Sequence, residues 1–357
     1  MPQAQVEIRD ILAHLLSGRA LEEQTAQQVF ELILTGHVND AQLGAMLGFI
    51  AARPGGPTVD EIVAGVRVMR RHVTPVPTAA AIHLARDRTG FEPVVIDTCG
   101  TGGAPKTFNV STVAAIVAAA AGKGRVLVAK HGGRSRTGRG SAEVLEKLGV
   151  NVNAPPETQA VCLGEIGICF SFAQQHHPAM KHAAVARKSL GFPTLFNLIG
   201  PLSNPAGATR QLVGTYSVEA AEKLAAALAR LGSIRAMIVT SRDGMDELTH
   251  TSPNDLFEVI GGAVRITTLD TRDMGMSKCE LSALVVSTLD DAASIFMDVL
   301  NGRPGAARQI VELNAGAAIV VAGAADDLRE GMRQARAAID DGAAKRTFTR
   351  LIELTRH

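Results

Sequence analysis

The chain contains no tryptophan and a single tyrosine, Tyr216, with only 3% aromatic residues in all. A stacking platform for nucleobases is hard to build from so few rings. An excess of charge is missing too: 36 Lys and Arg stand against 35 Asp and Glu, a net of +1, which gives no global field for nucleic acid or an anionic membrane. The four cysteines, Cys99, Cys162, Cys169 and Cys279, form no CxxC and no metal-finger spacing. Reduced thiols in a cytosolic enzyme are the simplest account. The N-terminus mixes both charges early and lacks a basic segment followed by a small-residue cleavage site, so no signal peptide is read. Its longest apolar stretches, around Val113 to Ala121 and Ala315 to Ala325, fall well short of the roughly 20 residues of a membrane span. A soluble, cytoplasmic protein is expected, without membrane or nucleic-acid partners.

What is present is a core: 357 residues, 46% hydrophobic, are enough for one large or two modest domains. The stretch from Asp97 to Gly149 organises the rest. Val94 to Ile96 reads as a buried strand, a turn Gly100-Thr101-Gly102-Gly103 follows, and Ser111-Thr112 stand at the start of an alanine-rich helix. The unit then repeats. Val126 to Ala129 reads as a second strand, Lys130-His131-Gly132-Gly133 ends it, and a polar loop leads to Ser141 at the next helix start. Two strand–loop–helix units side by side make a parallel α/β layer with both loops at the carboxyl ends of the strands, where such sheets bind ligands. Glycines let backbone N–H groups approach an anion, a helix start carries roughly +0.5 charge, and Ser, Thr and Lys add donors. The expected ligand is a phosphate or pyrophosphate, although neither loop is GxGxxG or GxxxxGK[ST].

Residues 1–77 read as helices only. Ile8, Ile11, Leu12, Leu15 and Leu16, then Val29, Leu32 and Ile33, then Leu43, Met46, Leu47 and Ile50 form successive apolar faces. Thr58 and Glu61 match a capping box at the start of a fourth helix. Thr74-Pro75-Val76-Pro77 is a stiff linker. Later, His177-Pro178 opens a helix that carries Arg187 at helical spacing; by spacing alone these basic residues make an ordinary solvated face. From Gln211 the α/β pattern returns, and the strand Ala236 to Thr240 runs into a loop carrying Asp246 and Glu247. Adjacent carboxylates on an extended strand end point different ways, which suits metal positions better than a shared proton; a charged surface turn is the plainer alternative. Val259 to Val264 reads as a hairpin, and Leu289–Leu300, Ala306–Ala322 and Leu328–Ile339 as helices that cover a sheet.

The conjunction of GTGG, NVST, KHG with a following Gly140-Ser141, HPAM…Arg187…FNLIGPLSNP, and the Asp246-Glu247 pair resembles the anthranilate phosphoribosyltransferase family over nearly the whole chain. That resemblance implies an α/β fold of the nucleoside phosphorylase and phosphoribosyltransferase type: a small all-helical N-terminal domain plus a larger α/β domain with a mainly parallel central sheet. The domains are then 1–77, with helices around 177–191 packing onto it, and an α/β body of 90–176 and 192–357. It implies transfer of the 5-phosphoribosyl group from phosphoribosyl pyrophosphate to anthranilate in tryptophan biosynthesis, Mg²⁺ as cofactor, and a homodimer. Gly100, Thr101, Gly102, Gly103, Asn109, Ser111, Thr112, Lys130 and Ser141 would bind the donor, Gly100, His131, His177 and Arg187 the anthranilate, and Ser111, Asp246 and Glu247 the metal. No residue is assigned as a covalent nucleophile.

Departures cluster in the same place. Ala104 stands where the family usually has Asp after GTGG, and Gly133 where it has the Asn of KHGN; both loops look one residue short. Three rivals stay open: a sibling enzyme acting on another aromatic amine or acid, a pyrimidine nucleoside phosphorylase, and a non-enzymatic nucleic-acid-binding relative using the basic run Arg134 to Arg139. The carboxylate pair argues against the second, neutral charge and scarce aromatics against the third.

Overall fold

The computed structural model describes residues 6–104, 107–135 and 138–356. Arg136 and Thr137, in the basic run, lie outside the described residues. The chain opens with helices α1 (Ile8–Leu16), α2 (Glu23–Leu34), α3 (Asp40–Ala52) and α4 (Val59–Arg71). The box at Thr58 forms, with the Glu61 amide donating to Thr58 Oγ1 at 3.3 Å and the Thr58 amide to Glu61 Oε2 at 2.8 Å. Glu61 does more than cap. Its carboxylate is fully buried, accepts the Leu21 amide at 3.1 Å and pairs with Arg53 at 2.5 Å. One side chain therefore ties the loop before α2, the end of α3 and the start of α4 together.

A helix absent from the sequence reading follows the prolines: α5 (Thr78–Thr89) lies against α8 (Pro156–Ile166). Its buried stripe is only Ala81 and Ala85, too narrow to stand out as a periodic signal. The close approach relies on Gly164, where an added Cβ would fall 2.8 Å from Leu84 and 2.9 Å from the Ala81 carbonyl.

Next come β1 (Val94–Gly100), α6 (Val110–Gly122), β2 (Val126–Gly132), α7 (Ser141–Lys147), β3 (Ile168–Phe172), α9 (Ala173–His176), α10 (Lys181–Leu190) and α11 (Leu195–Ile199). β4 (Arg210–Gly214), α12 (Val218–Arg230), β5 (Arg235–Ser241), β6 (Asn254–Ile260) and β7 (Ala263–Leu269) complete the sheet, and α13 (Leu289–Leu300), α14 (Ala306–Ala322), α15 (Leu328–Asp340) and α16 (Ala343–Thr355) end the chain. Among the described residues the sheet has the order β3-β2-β1-β4-β5-β6-β7. β3 to β5 pair in parallel, and β6 and β7 run antiparallel at one edge. The β6–β7 hairpin turns on Gly261 and Gly262, both at positive φ as a two-residue hairpin turn demands.

Each face of the sheet carries its own core. On one side α6 is buried almost all round, its alanines allowing sheet and helices to close up, with α14, α15 and α16 stacked beyond it. Gly316 of α14 and Gly331 of α15 meet backbone to backbone, so that a Cβ on Gly331 would fall 2.4 Å from the Gly316 carbonyl oxygen. On the other side α12 covers Val213, Ala236, Ile238 and Phe257, and the N-terminal helices pack over α12. α10 and α11 join that second core through Ala183, Ala186, Leu195, Phe196, Leu198 and Ile199. Leu202 belongs to the same core. No described helix is long and apolar enough to cross a membrane.

Candidate active site

β1 and β4 are neighbours, yet the chain leaves β1 toward β2 and β3 on one side and leaves β4 toward β5 on the other. The strand order reverses there, which opens a crevice at the carboxyl ends of β1 and β4. Both strands end in glycine, and the two are register partners, Gly100 with Gly214. A Cβ on Gly214 would sit 1.6 Å from the Asp246 carbonyl oxygen, and one on Gly100 would sit 3.3 Å from Asp246 Oδ2. Two missing side chains therefore let the turn after β5 lie directly across the strand ends. Beyond them, the Thr101 amide donates to the Gly214 carbonyl at 2.9 Å. Gly102 and Gly103, at φ +68° and +105°, then swing the loop outward.

Asp246 and Glu247 are not on an extended strand end as expected from sequence. They follow a tight turn in which Ser241 N–H donates to the Met245 carbonyl at 3.0 Å and Gly244 adopts φ +87°. That turn aims Glu247 at the start of α6, where its Oε1 accepts the Ser111 amide at 3.1 Å. Enclosure and the adjacent Asp246 charge push the Glu247 carboxyl up to about 8, against the pull of Lys130. At the same helix start Asn109 holds a left-handed conformation, φ 66° and ψ 53°. Its side-chain nitrogen donates to the Arg139 carbonyl at 3.2 Å, while its Oδ1 and the Thr112 hydroxyl are buried without partners among the described residues.

Lys130 lies under this cluster. It is 3% exposed, its Nζ donates to the Thr98 carbonyl at 2.6 Å, and its charge acts on both Asp97 and Glu247. Asp97 is fully buried, accepts the His131 amide at 3.0 Å, and is pushed upward by burial. Neither Asp97 nor Gly214 was singled out as a site residue from sequence, although a charged residue inside an apolar run and a glycine ending a strand are the signals that mark them. Ser141 stands apart, its hydroxyl donating to the Gly133 carbonyl at 3.4 Å at the start of α7. There Glu143 accepts the Gly140 amide at 3.0 Å.

The helix-face relation between His177 and Arg187 does not hold, because a 3₁₀ turn, Pro178–Met180, separates His177 from α10. His177 instead meets His131, with Nε2 to Nε2 at 3.2 Å and ring centroids 5.0 Å apart. Arg187 lies with its guanidinium 5.1 Å over the Phe196 ring and makes no ion pair among the described residues. The connection to the glycine loop is the segment after Thr194, unmarked in the sequence reading as a site. Asn197 donates to the Thr101 carbonyl at 3.4 Å, and the Pro201 carbonyl accepts Gln211 at 2.8 Å and the Cys99 thiol at 3.6 Å.

Burial, with His177, His176 and Lys130 nearby, drives His131 well below its ordinary value; burial lowers His176, and burial with the His176 charge beside it takes His177 to about 4. A histidine with a depressed folded pKa contributes stability that is present above its unfolded value near 6.5 and is lost as pH falls toward the folded one. His177 alone spans 6.5 to about 4, which at 1.36 kcal/mol per unit is about 3 kcal/mol. Denaturant midpoints measured from pH 7.5 down to 4.5 are expected to fall across that window, and the His177→Gln variant to show a shallower fall. Equal slopes for the two proteins would remove His177 from this account.

Residues 9–73 match the helical bundle domain of a glycosyl transferase family, and residues 92–345 match its a/b domain. Anthranilate phosphoribosyltransferase of Methylococcus capsulatus is 43% identical over 353 residues, spanning 98% of both chains. That of Moorella thermoacetica is 44% identical over 335 residues, 93% of this chain and 94% of the relative. The crystal structure of anthranilate phosphoribosyltransferase from Thermus thermophilus superposes with a TM-score of 0.85 at 35% identity, covering 98% of this chain and 100% of the other. With both domains matched in order and identity sustained from end to end, the chain belongs to the anthranilate phosphoribosyltransferase family.

Proposed function

We propose that the chain transfers the 5-phosphoribosyl group of phosphoribosyl pyrophosphate to the amine of anthranilate and releases pyrophosphate, as a step of tryptophan biosynthesis in the cytoplasm. The observation that carries the reading is the meeting of the Gly100–Gly103 loop, the start of α6 and the Asp246–Glu247 turn at the strand-order reversal, in a chain 43% identical to a named enzyme across its length. Four free cysteines among the described residues fit a reducing compartment.

The C1–oxygen bond of the ribose breaks largely ahead of attack, so the site's main task is to receive the charge of the departing diphosphate. The glycine loop offers backbone N–H groups, and Asn109, Ser111 and Thr112 bring polar groups to the start of α6. Lys130 supplies a fixed positive charge below. Asp246 and Glu247, with the Ser111 hydroxyl, fit Mg²⁺: burial first and the neighbouring Asp246 charge second push the Glu247 carboxyl upward, and a divalent cation with oxygen preference would offset both. When bound, the cation offsets the charge of the diphosphate. His131, His177 and Arg187 form the acceptor side, where a buried guanidinium with no carboxylate partner among the described residues suits the carboxylate of an aromatic acid.

Pyrophosphate release from the donor with Mg²⁺, with and without anthranilate, tests the reading. Turnover is expected only with both, and Arg187→Ala is expected to raise the anthranilate KM at least tenfold, since a charge-assisted pair contributes about 1.5–3 kcal/mol. Donor binding without response to anthranilate favours the second reading, another aromatic amine as acceptor, for which Ala104 and Gly133 are the motivating substitutions. A homodimer through the helical layer belongs to the same proposal, supported by Leu16 of α1 and Val185 of α10, which are 68% and 59% exposed. A monomeric sedimentation coefficient at micromolar concentration counts against it.

A further inference from the structure

The basic run Arg134 to Arg139 has no part in the reaction so far described, yet both of its ends are engaged within the chain. Arg134 pairs with Glu146 of α7 at 2.7 Å. Arg139 is built into a wider arrangement. Its amide donates to Ser135 Oγ at 2.9 Å, its carbonyl accepts the Asn109 side-chain nitrogen at 3.2 Å, and its guanidinium donates to the Val286 carbonyl. Backbone and side chain of one residue therefore join the loop after β2, the start of α6 and the stretch before α13. That last stretch touches the first loop as well, because Thr107 and Val285 form an isolated antiparallel bridge.

Val286 is a firm anchor. A 3₁₀ turn, Leu281–Ala283, leads into Leu284 and Val286, which are 0% and 5% exposed and belong to the core packed around α6. Directly afterwards the Thr288 hydroxyl accepts the Asp291 amide at 3.0 Å and starts α13. At the other end of the connection, Asn109 is a position that needs holding. Left-handed backbone is uncommon for any residue but glycine, yet Asn109 adopts it at the head of α6, where its carbonyl accepts the Thr112 and Val113 amides at 2.9 and 3.3 Å. Where Asn109 goes, the first turn of α6 follows, and with it the Ser111 amide that meets Glu247.

We propose that Arg139 is a positioning residue for the donor: by fastening the loop after β2 to Val286 it holds Asn109, and through it the first turn of α6, in the conformation that receives phosphoribosyl pyrophosphate. This rests on the phosphoribosyl-transfer reading above. Tying both loops to one buried segment before the ligand arrives removes an ordering cost from the binding step, and loss of the clasp returns it. A guanidinium that touched the diphosphate would act by its charge; one engaged by Val286 acts through Asn109, and the two are separable.

Steady-state kinetics with phosphoribosyl pyrophosphate, Mg²⁺ and anthranilate, together with amide exchange in the absence of any ligand, test this in the full-length protein. Arg139→Met is expected to raise the donor KM about tenfold, the scale of one charge-assisted hydrogen bond, with kcat and the anthranilate KM within threefold of the parent and faster exchange at the Ser111, Thr112 and Val113 amides. Arg139→Lys keeps a cationic donor for the Val286 carbonyl and is expected to bring the donor KM back to within threefold. In an Asn109→Gly background the bond to the Arg139 carbonyl is gone and glycine takes the left-handed conformation freely, so Arg139→Met is expected to add less than twofold. A Met variant with the parent's donor KM overturns the proposal, as does a tenfold effect that persists beside Asn109→Gly, which places the guanidinium on the diphosphate itself. If the parent does not use the donor at all, the functional reading fails; the clasp fails separately if exchange at those three amides is the same in parent and Met variant.

Discussion

Replacing Gly214 by alanine is expected to abolish measurable turnover while leaving a folded but weakened protein. Its added methyl would stand 1.6 Å from the Asp246 carbonyl oxygen and 2.7 Å from the carbonyl carbon, so the neighbour that has to yield is backbone. Overpacking of this kind destabilises by about 1–3 kcal/mol. The greater loss is functional. The turn must retreat by more than an ångström, taking Asp246 and Glu247 away from Ser111, and a misplacement of about 1 Å removes roughly 10²-fold in rate even when the chemistry is untouched. Mg²⁺-dependent titration of the donor, read beside a denaturation midpoint, separates the two effects. Gly133→Ala is the stability control, because its methyl would meet only Ala173 Cβ at 3.7 Å, an ordinary contact. A Gly214→Ala protein that binds donor like its parent would show that the turn does not lie across the strand ends.

The second large effect is expected at Lys130. Its ammonium is buried, and two enclosed carboxylates, Asp97 and Glu247, lie within its field. Lys130→Met keeps much of the aliphatic volume and deletes the charge. Leaving a buried ion unpaired typically destabilises by about 3–5 kcal/mol. The sign with pH is definite: without Lys130 the carboxyls are pushed further upward, so they take up protons in the folded state, and the deficit shrinks as the solution is acidified. Lys130→Met with Asp97→Asn is expected to regain part of the stability at neutral pH and none of the activity, since the positive charge beneath the diphosphate is still missing. A single variant as stable as the parent at pH 7.5 would place the ammonium outside the carboxylates' field.

Much of this protein is legible in its local pattern. The fold class, the capping box at Thr58, the strand at Val126–Ala129 and the hairpin turn at Gly261-Gly262 depend on interactions within a few residues, where propensity and periodicity report directly. α5 escaped because a stripe of two buried alanines after two prolines carries almost no amphipathic signal, and its helicity is imposed by packing on Gly164. The candidate residues of the GTGG, NVST and KHG loops stand out for the same local reason: glycine at a strand end and Ser-Thr at a helix start are rules of backbone geometry. His177 and Arg187 show the limit of such rules, since a 3₁₀ turn rotates one relative to the other and periodicity cannot foresee it.

The chain's own order of residues was enough to indicate an α/β protein with a helical entry domain and glycine-rich loops at its strand ends. It was not enough to bring together groups far apart along the chain. Thr101 and Thr215 are 114 residues apart, Ser111 and Glu247 136, and His131 and His177 46. Those meetings follow from which strands pair and which faces are buried, and no run of neighbouring residues encodes them. The collision at Gly214 and the meeting of His131 with His177 exist only once β4 lies beside β1 and the chain after β3 is folded back over the sheet, because both are properties of contact and not of propensity.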